Sequence, residues 1–297
     1  MEAWVWIAIA AAAAQTVRFA LQKVLAGAQL SATGATWARF LWSAPIIWAV
    51  MASYIGSGHG GALSIAPAFF PYAIVGGAAQ ILATICTVAL FKSRAFAVGI
   101  TFKKTEVMLT ALLGLFVLGD TLSPGGAVFI AVGFLGVLLL SEPPEGGSVF
   151  NQGVALGLAS GVFFAVSAVG YRGATLAVDS DNTFLVAGVT LALVVLFQTI
   201  SLGLWLAMKE PGQIGATLAS WRTSAFVGVF SLIGSWCWFA AFSLQNAAYV
   251  FAVGQVELIF SLAVGVLFFR ERPNGRELVG MGLLTVSIIA VGLIGST

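Results

Sequence analysis

Long apolar runs follow one another along nearly the whole chain, and they constrain its fold more than any other feature. A helix needs about 20 apolar residues to cross roughly 30 Å of hydrocarbon. The linkers between the runs are short and rich in Gly, Pro and charge, as in "SEPPEGG" and "RERPNGRE". Because 60% of the residues are hydrophobic and only 8% are charged, little sequence remains for a soluble domain. The sequence therefore predicts an all-α integral membrane protein.

Ten transmembrane helices fit this pattern. Continuous runs favour helices over the strands of a membrane barrel, in which apolar and polar positions alternate over about ten residues. The predicted spans are Trp4–Gln22, Ala32–Ile55, Phe69–Phe91, Ala95–Leu118, Gly125–Leu140, Gln152–Tyr171, Thr183–Met208, Ala216–Leu244, Ala247–Phe269 and Glu277–Ile294.

Comparison of the chain with itself at an offset of 151 residues indicates an internal repeat. This offset aligns Cys86 with Cys237 and Glu106 with Glu257. The two cysteines are the only ones in the chain, and both glutamates lie in the middle of apolar runs. Their coincidence at one offset predicts a duplication.

The two halves of this duplication, residues 1–146 and 147–297, would each contain five spans. An odd number of spans makes the second half enter the membrane from the opposite side, which gives an inverted repeat. Inverted repeats recur in secondary transporters, where two similar halves rock about a site near the membrane centre and open it to each side in turn.

The ends of the two halves carry a shared pattern: an apolar helix, an acidic residue and then a Gly-rich helix. The sequences are "LLGLFVLGDTLSPGGAVFIAVGFLGVLL" (Leu112–Leu139) and "VGVLFFRERPNGRELVGMGLLTVSIIAVGLI" (Val264–Ile294). With the five-plus-five layout, they resemble the drug/metabolite transporter superfamily, EamA type, over nearly the whole chain. The resemblance implies a secondary transporter whose central cavity is lined by helices of both halves, with the last helix of each half at the periphery. It assigns no substrate.

Six of the charged side chains in the predicted spans are assigned to the membrane interior. A charge at the bilayer centre costs about 2.5–3.5 kcal/mol, so such groups normally face a protein interior or a wet cavity and have a partner. Helical spacing places two of them on one stripe of the fourth span, whereas their neighbour Lys104 is turned away from it by about 100°. Polar faces on the other spans predict a common central cavity. The charged residues are Arg18, Arg39, Lys103, Lys104, Glu106 and Glu257, of which Lys103 and Glu106 share the stripe.

The two buried glutamates permit two interpretations. Desolvation favours the protonated form of a carboxyl group, so Glu106 and Glu257 can serve in substrate binding or proton transfer. The alternative is a structural ion pair, which the spacing favours for Glu106 because Lys103 lies three residues before it on the same face. Glu257 has no base within one turn of its own helix, so its partner must come from another helix, from the substrate or from a proton.

The two arginines in the first two spans also permit two interpretations. A guanidinium group can bind a carboxylate or phosphate with two parallel hydrogen bonds, which makes Arg18 and Arg39 candidates for an anion site. Both lie nearer one end of their helices. Their long side chains could therefore extend to the membrane interface instead.

The predicted function is the alternating-access export of a small charged or zwitterionic metabolite, such as an amino acid or an organic anion. Basic side chains would hold its anionic group, and Glu257 would balance an amine or carry a coupled proton. Four intramembrane bases against two glutamates disfavour a pocket for lipophilic cations, so a multidrug exporter is the first alternative. A non-transporting membrane protein is the second, and no enzyme motif is present. The candidate site residues are Glu257, Glu106, Lys103, Arg18, Arg39, Gln15, Ser235, Trp238 and Tyr171.

The expected partners are a small-molecule substrate and the lipid of a bacterial inner membrane. We expect no cofactor apart from a coupled proton, no metal and no nucleic acid, and a monomer or weak dimer. The basic residues cluster at the odd-numbered loops, which predicts that these loops are cytoplasmic and that both termini are outside. Ten-span members of the superfamily usually have both termini inside, so the two arguments conflict.

Overall fold

The computed structural model describes residues 2–28, 30–61, 63–90, 103–140, 152–260 and 275–294. Helices dominate these stretches. The second helix continues into a π-helical turn over Ile55–His59, and helix resumes over residues 256–260 after α10. The helices are α1 (Ala3–Ala28), α2 (Ala32–Tyr54), α3 (Phe69–Leu90), α4 (Glu106–Leu118), α5 (Pro124–Leu140), α6 (Gln152–Leu176), α7 (Thr183–Lys209), α8 (Pro211–Ala219), α9 (Trp221–Leu244), α10 (Ala247–Gly254) and α11 (Gly275–Ile294).

Six of the described helices, α1, α2, α3, α6, α7 and α9, are long and apolar enough to cross a membrane. The helices α4, α5, α11 and α10 with its continuation are shorter but equally apolar. The chain is thus an all-α, multi-pass membrane protein. The remainder of the predicted fourth and ninth spans, residues 95–102 and 261–269, lies outside the described residues. The ten-helix inverted repeat stays a prediction.

The predicted eighth span, Ala216–Leu244, is divided in the structure. Its first residues belong to the separate short helix α8, and α9 begins only at Trp221. Pro211 lies in the first turn of α8, where its missing N–H costs no helical hydrogen bond. The backbone N–H of Ser220 closes α8 by donating to the carbonyl of Ala216. The prediction of one continuous helix was therefore wrong, because the apolar end of α8 concealed this boundary.

The fourth span is also interrupted. Lys104 and the next residue form a turn, and α4 begins at Glu106. A matching break occurs at Gln255, after which helix resumes through Glu257. Lys104 and Gln255 are related by the same 151-residue offset as the two glutamates. Each break therefore lies two residues before a buried or half-buried carboxylate.

Helix contacts recur in matched pairs between the two halves. α1 packs along α9 as α6 packs along α3, and α1 contacts α10 as α6 contacts α4. Two further pairs join equivalent helices, α2 with α7 and α5 with α11. In the last pair a Cβ atom on Gly136 would lie 2.8 Å from the carbonyl oxygen of Gly280, so glycine permits this close crossing. A two-fold relation between the halves would produce such a pattern.

A two-stranded antiparallel sheet connects the α2–α3 loop to the α6–α7 loop. Strand β1 (Ser64–Ile65) pairs with β2 (Val178–Asp179), with Ser64 opposite Asp179. The loop after α1 contacts α8, because the backbone N–H of Ser31 donates to Gln213 Oε1 at 2.7 Å. Strands of two residues are too short to produce an alternating sequence pattern, so the sheet was not predicted.

Candidate functional site

The two helix breaks bring a base from one half to a carboxylate from the other. Lys104 Nζ lies 3.2 Å from Glu257 Oε2, and the lysine side chain is only 2% exposed. The partner of Glu257 therefore comes from another helix. The sequence placed Lys104 off the face of Lys103 without giving it a partner; in the structure Lys104 lies in the turn, and the two lysines pair with different glutamates.

The second glutamate pairs within its own half. Lys103 Nζ lies 3.8 Å from Glu106 Oε2, and both side chains are buried, which confirms the ion pair predicted from their spacing. The same ammonium group lies 5.3 Å from the ring centroid of Phe19 and 4.9 Å from that of Phe164. The negative faces of aromatic rings attract a cation at such distances. Lys103 is therefore held by one carboxylate and two rings.

Gln15 joins three other predicted site residues. Its Nε2 donates to Glu257 Oε2 at 3.2 Å. Its Oε1 accepts hydrogen bonds from Trp238 Nε1 at 3.2 Å and from Arg18 Nη2 at 3.4 Å. One amide group thus spans the space between a guanidinium group and a carboxylate.

Arg18 lies inside the protein and does not extend to the membrane interface. Its side chain is 2% exposed, and Nη1 donates to Gln22 Oε1 at 2.7 Å. The guanidinium carbon lies 4.0 Å from the ring centroid of Phe19. Gln22 is fixed in turn because its Nε2 donates to the carbonyl of Ala35 at 3.0 Å.

Arg39 is buried as deeply, at 3% exposure, and is held by three hydroxyl groups. Its Nε donates to Ser231 at 2.9 Å, its Nη1 to Thr84 at 3.0 Å and its Nη2 to Ser235 at 3.3 Å. These partners come from α3 and α9, so residues of both halves surround one guanidinium group. They satisfy its hydrogen bonds without neutralising its charge.

The centre of the molecule consequently carries an excess of positive charge. Lys103 and Lys104 each pair with a glutamate. Neither Arg18 nor Arg39 is paired with a carboxylate of the described residues. A buried charge is unfavourable without a counter-ion, so each arginine retains a strong attraction for an anion. The arrangement is suited to binding a carboxylate or a phosphate.

Tyr171 lies apart from these contacts. Its hydroxyl accepts a hydrogen bond from Gln198 Nε2 at 3.1 Å, and its ring centroid lies 4.4 Å from that of Phe239. In the described part of the chain it makes no hydrogen bond to the other predicted site residues. Tyr171 therefore packs α6 against α7 and α9.

A small cavity of about 20 Å³ lies between the two helix breaks. A cavity of this volume holds about one water molecule, so the centre is closed to a metabolite in this conformation. Both polar groups and aromatic rings line the cavity. The lining includes Gln15, Glu106, Gln255 and Glu257, together with Phe164, Trp238 and Phe251.

Sequence reasoning missed two residues of this centre, Lys104 and Gln255. Both lie at the helix breaks, where spacing rules for regular helices do not apply. One signal for Lys104 was available: once Lys103 is assigned to Glu106, Glu257 is the remaining glutamate in the middle of an apolar run. No comparable indication was available for Gln255, because a single glutamine in an apolar run does not indicate which residue it contacts.

Comparisons with known proteins relate the chain to transporters. Residues 151–293 match the EamA-like transporter family. Two curated relatives, the pseudopaline exporter CntI of Pseudomonas aeruginosa strains UCBPP-PA14 and PAO1, are 28% and 27% identical over 174 residues. That alignment covers 59% of this chain and 58% of each relative, so little more than half of their length is matched.

The fold is also similar to that of a solved protein. That protein is described only as "Crystal structure of protein", and it superposes with a TM-score of 0.72. The superposition covers 99% of this chain and 97% of the other, at 16% sequence identity. At this identity the likeness concerns the fold alone.

Proposed function

The chain belongs to the drug/metabolite transporter superfamily, and from this premise we propose that it is a secondary transporter that exports a small metabolite bearing an anionic group. The observation that carries the proposal is the pair of buried arginines. Arg18 and Arg39 are hydrogen-bonded to neutral side chains and lack a paired carboxylate among the described residues. A substrate carboxylate or phosphate would supply the missing negative charge through charge-assisted hydrogen bonds.

Alternating access is supported by the way in which the halves meet. The matched helix contacts and the two breaks are consistent with inverted repeats, and transporters of this kind often bind substrate at interrupted helices. The cavity of about 20 Å³ is too small for a metabolite, so substrate entry requires the halves to separate. The Lys104–Glu257 pair lies across this division and would change as they do.

Proton coupling follows from the same pair. A substrate anion that attracts Lys104 would weaken the pairing of this lysine with Glu257. Because desolvation disfavours the charged form of a carboxyl group, Glu257 would then take up a proton or bind a cationic group of the substrate. A proton would therefore be coupled to the transport of a substrate that lacks such a cationic group.

The pseudopaline exporters support export of a small metabolite from a bacterial cell, across the inner membrane. We do not transfer their substrate to this chain, because the alignment covers 58% of their length. The excess of buried bases disfavours the alternative of a lipophilic-cation exporter.

The direct test is uptake into proteoliposomes, with and without a pH gradient. The probes are labelled amino acids, other carboxylates and cationic dyes. We expect uptake of carboxylates, a loss of at least tenfold in Arg39→Gln, and little change in Arg222→Gln, a control at an exposed arginine outside the site. Transport of cationic dyes alone would contradict the proposal. No transport of any probe would favour a non-transporting membrane protein.

A further inference from the structure

Gln255, in the break of the ninth span, has a buried acceptor that no group in the described part of the chain satisfies. The side chain is 5% exposed, and its Nε2 donates to the carbonyl of Phe251 at 3.2 Å. Among the described residues, its Oε1 accepts no hydrogen bond. Buried polar atoms are satisfied in the great majority of native structures, so an orphaned oxygen indicates that something else donates to it.

The surroundings of Gln255 are suited to a cation. It lines the central cavity together with the carboxylates of Glu106 and Glu257. The rings of Phe164 and Trp238 line the same cavity. Carboxylates, an amide oxygen and aromatic faces all attract an ammonium group, which is a donor with no acceptor.

The lysines of the first half already illustrate this chemistry. Lys104 places an alkylammonium group 3.2 Å from Glu257 Oε2. Lys103 places a second one 3.8 Å from Glu106 Oε2 and 4.9 Å from the ring centroid of Phe164. The same carboxylates and ring can accept an ammonium group that belongs to a ligand.

An anion site lies immediately beside this region. Gln15 accepts a hydrogen bond from Arg18 through Oε1 and donates to Glu257 through Nε2. A single planar amide therefore bridges the guanidinium group and the carboxylate. The ammonium and carboxylate groups of an α-amino acid are separated by one carbon atom, so an amino acid matches the spacing that this amide fills.

We propose that Gln255, Glu257 and Glu106 form a subsite for the primary ammonium group of the substrate, which makes the exported metabolite an amino-acid-like zwitterion. The inference rests on the proposed function and narrows its substrate class. The ammonium group donates to Gln255 Oε1 and takes the place of Lys104 on Glu257. The substrate carboxylate is then held by the arginines of the anion site and by the released Lys104.

The test compares substrates that differ only in the amine. Uptake into proteoliposomes is measured for the pairs alanine and propionate, aspartate and succinate, and glutamate and glutarate. We expect the amine-bearing member to have a kcat/KM at least tenfold higher in the wild type. In Gln255→Leu that preference should fall to about one through a higher KM for the amine-bearing member.

Two further variants separate recognition from packing. Gln255→Glu retains an acceptor at the same place and should keep the preference for the amine. Gln198→Leu alters another buried amide whose Oε1 has no partner among the described residues, but which contacts Tyr171 and Gly77 away from the cavity. It should leave the preference unchanged.

The outcomes distinguish this inference from the proposed function. Equal transport of both members of every pair would overturn the ammonium subsite and leave anion export standing. An unchanged preference in Gln255→Leu would also overturn it, since a single water molecule then satisfies Gln255. Uptake of cationic dyes alone would contradict both. If Gln255→Leu does not yield folded protein, the wild-type preference and Gln255→Glu decide.

Discussion

The breaks in the fourth and ninth spans occupy equivalent positions but carry different chemistry. The first places Lys103 and Lys104 before Glu106, whereas the second places Gly254 and Gln255 before its glutamate. As a result, Glu106 is paired within its own half, and the glutamate of the second half relies on a lysine from the first. One ion pair therefore lies within the first half of the chain, and the other joins the first half to the second.

This difference assigns separate roles to the two pairs. Lys103 and Glu106 belong to one segment and would move together if the halves rocked. Lys104 and Glu257 belong to opposite halves, so their separation would report the relative position of the halves. The variants below test this division, from the largest expected effect to the smallest.

Removal of the ion pair between Lys104 and Glu257 should have the largest effect. Lys104→Met leaves the carboxylate of Glu257 without its lysine, and breaking one side of a buried pair costs about 3–5 kcal/mol. We expect a lower midpoint of thermal unfolding in detergent and a loss of transport of more than about 100-fold. The double variant Lys104→Met, Glu257→Gln should recover most of the stability but not the transport. An unchanged midpoint in the single variant would contradict the role of the pair.

Replacement of Gly254, next to the break in the ninth span, by alanine should have an intermediate effect. A Cβ atom at Gly254 would overlap the indole ring of Trp238, which donates to Gln15. Gly254→Ala should therefore lower the free energy of unfolding by about 1–3 kcal/mol. Gly212→Ala is the matched control, because no atom lies within 4 Å of the added methyl group there. Equal midpoints of thermal unfolding for the two variants would contradict this account of Gly254.

Arg39 also connects the halves, since two of its three hydroxyl partners lie on α9. Arg39→Lys retains the charge but loses the planar fork, so the KM for a carboxylate substrate should rise about tenfold, equivalent to about 1.4 kcal/mol. Ser235→Ala removes one hydrogen bond of 3.3 Å and should have a smaller effect, about 0.5–1 kcal/mol. A KM unchanged in Arg39→Lys would remove Arg39 from the anion site. Initial rates of uptake at varied substrate concentration measure both effects.

The ion pair outside the centre should have the smallest effect. Arg172 Nε donates to Asp120 Oδ2 at 3.1 Å, and both side chains are partly exposed. Arg172 is more exposed than Lys104, so this pair should contribute less to stability and be more sensitive to salt. Asp120→Asn should shift the unfolding midpoint slightly at low salt and not at high salt. A destabilisation as large as that of Lys104→Met would show that the two pairs contribute equally to stability despite their different exposure.

Two features of the site could be predicted from the sequence. The spacing of Lys103 and Glu106 gave their pairing, and the 151-residue offset singled out Glu257 as a counterpart. The partner of Glu257 could not be predicted in this way. Lys104 lies in a turn, where the rotation of about 100° per residue no longer fixes the direction of a side chain.

Other features depend on contacts between distant segments. The hydroxyl groups around Arg39 lie on helices separated from it by 45 to 196 positions, so no local pattern joins them. The strands β1 and β2 contain two residues each and are paired across the halves. The sequence indicates that polar faces line a common interior, but tertiary packing decides which side chains meet there.

Solute counterflow tests the central claim, alternating access to one anion-binding centre, most directly. Proteoliposomes are loaded with an unlabelled carboxylate that the protein transports, and entry of the same labelled compound is followed without any ion gradient. The account predicts that loading accelerates entry, that Arg39→Gln abolishes the acceleration, and that cationic dyes do not replace the carboxylate. Entry independent of loading, or acceleration by cationic dyes alone, would contradict it.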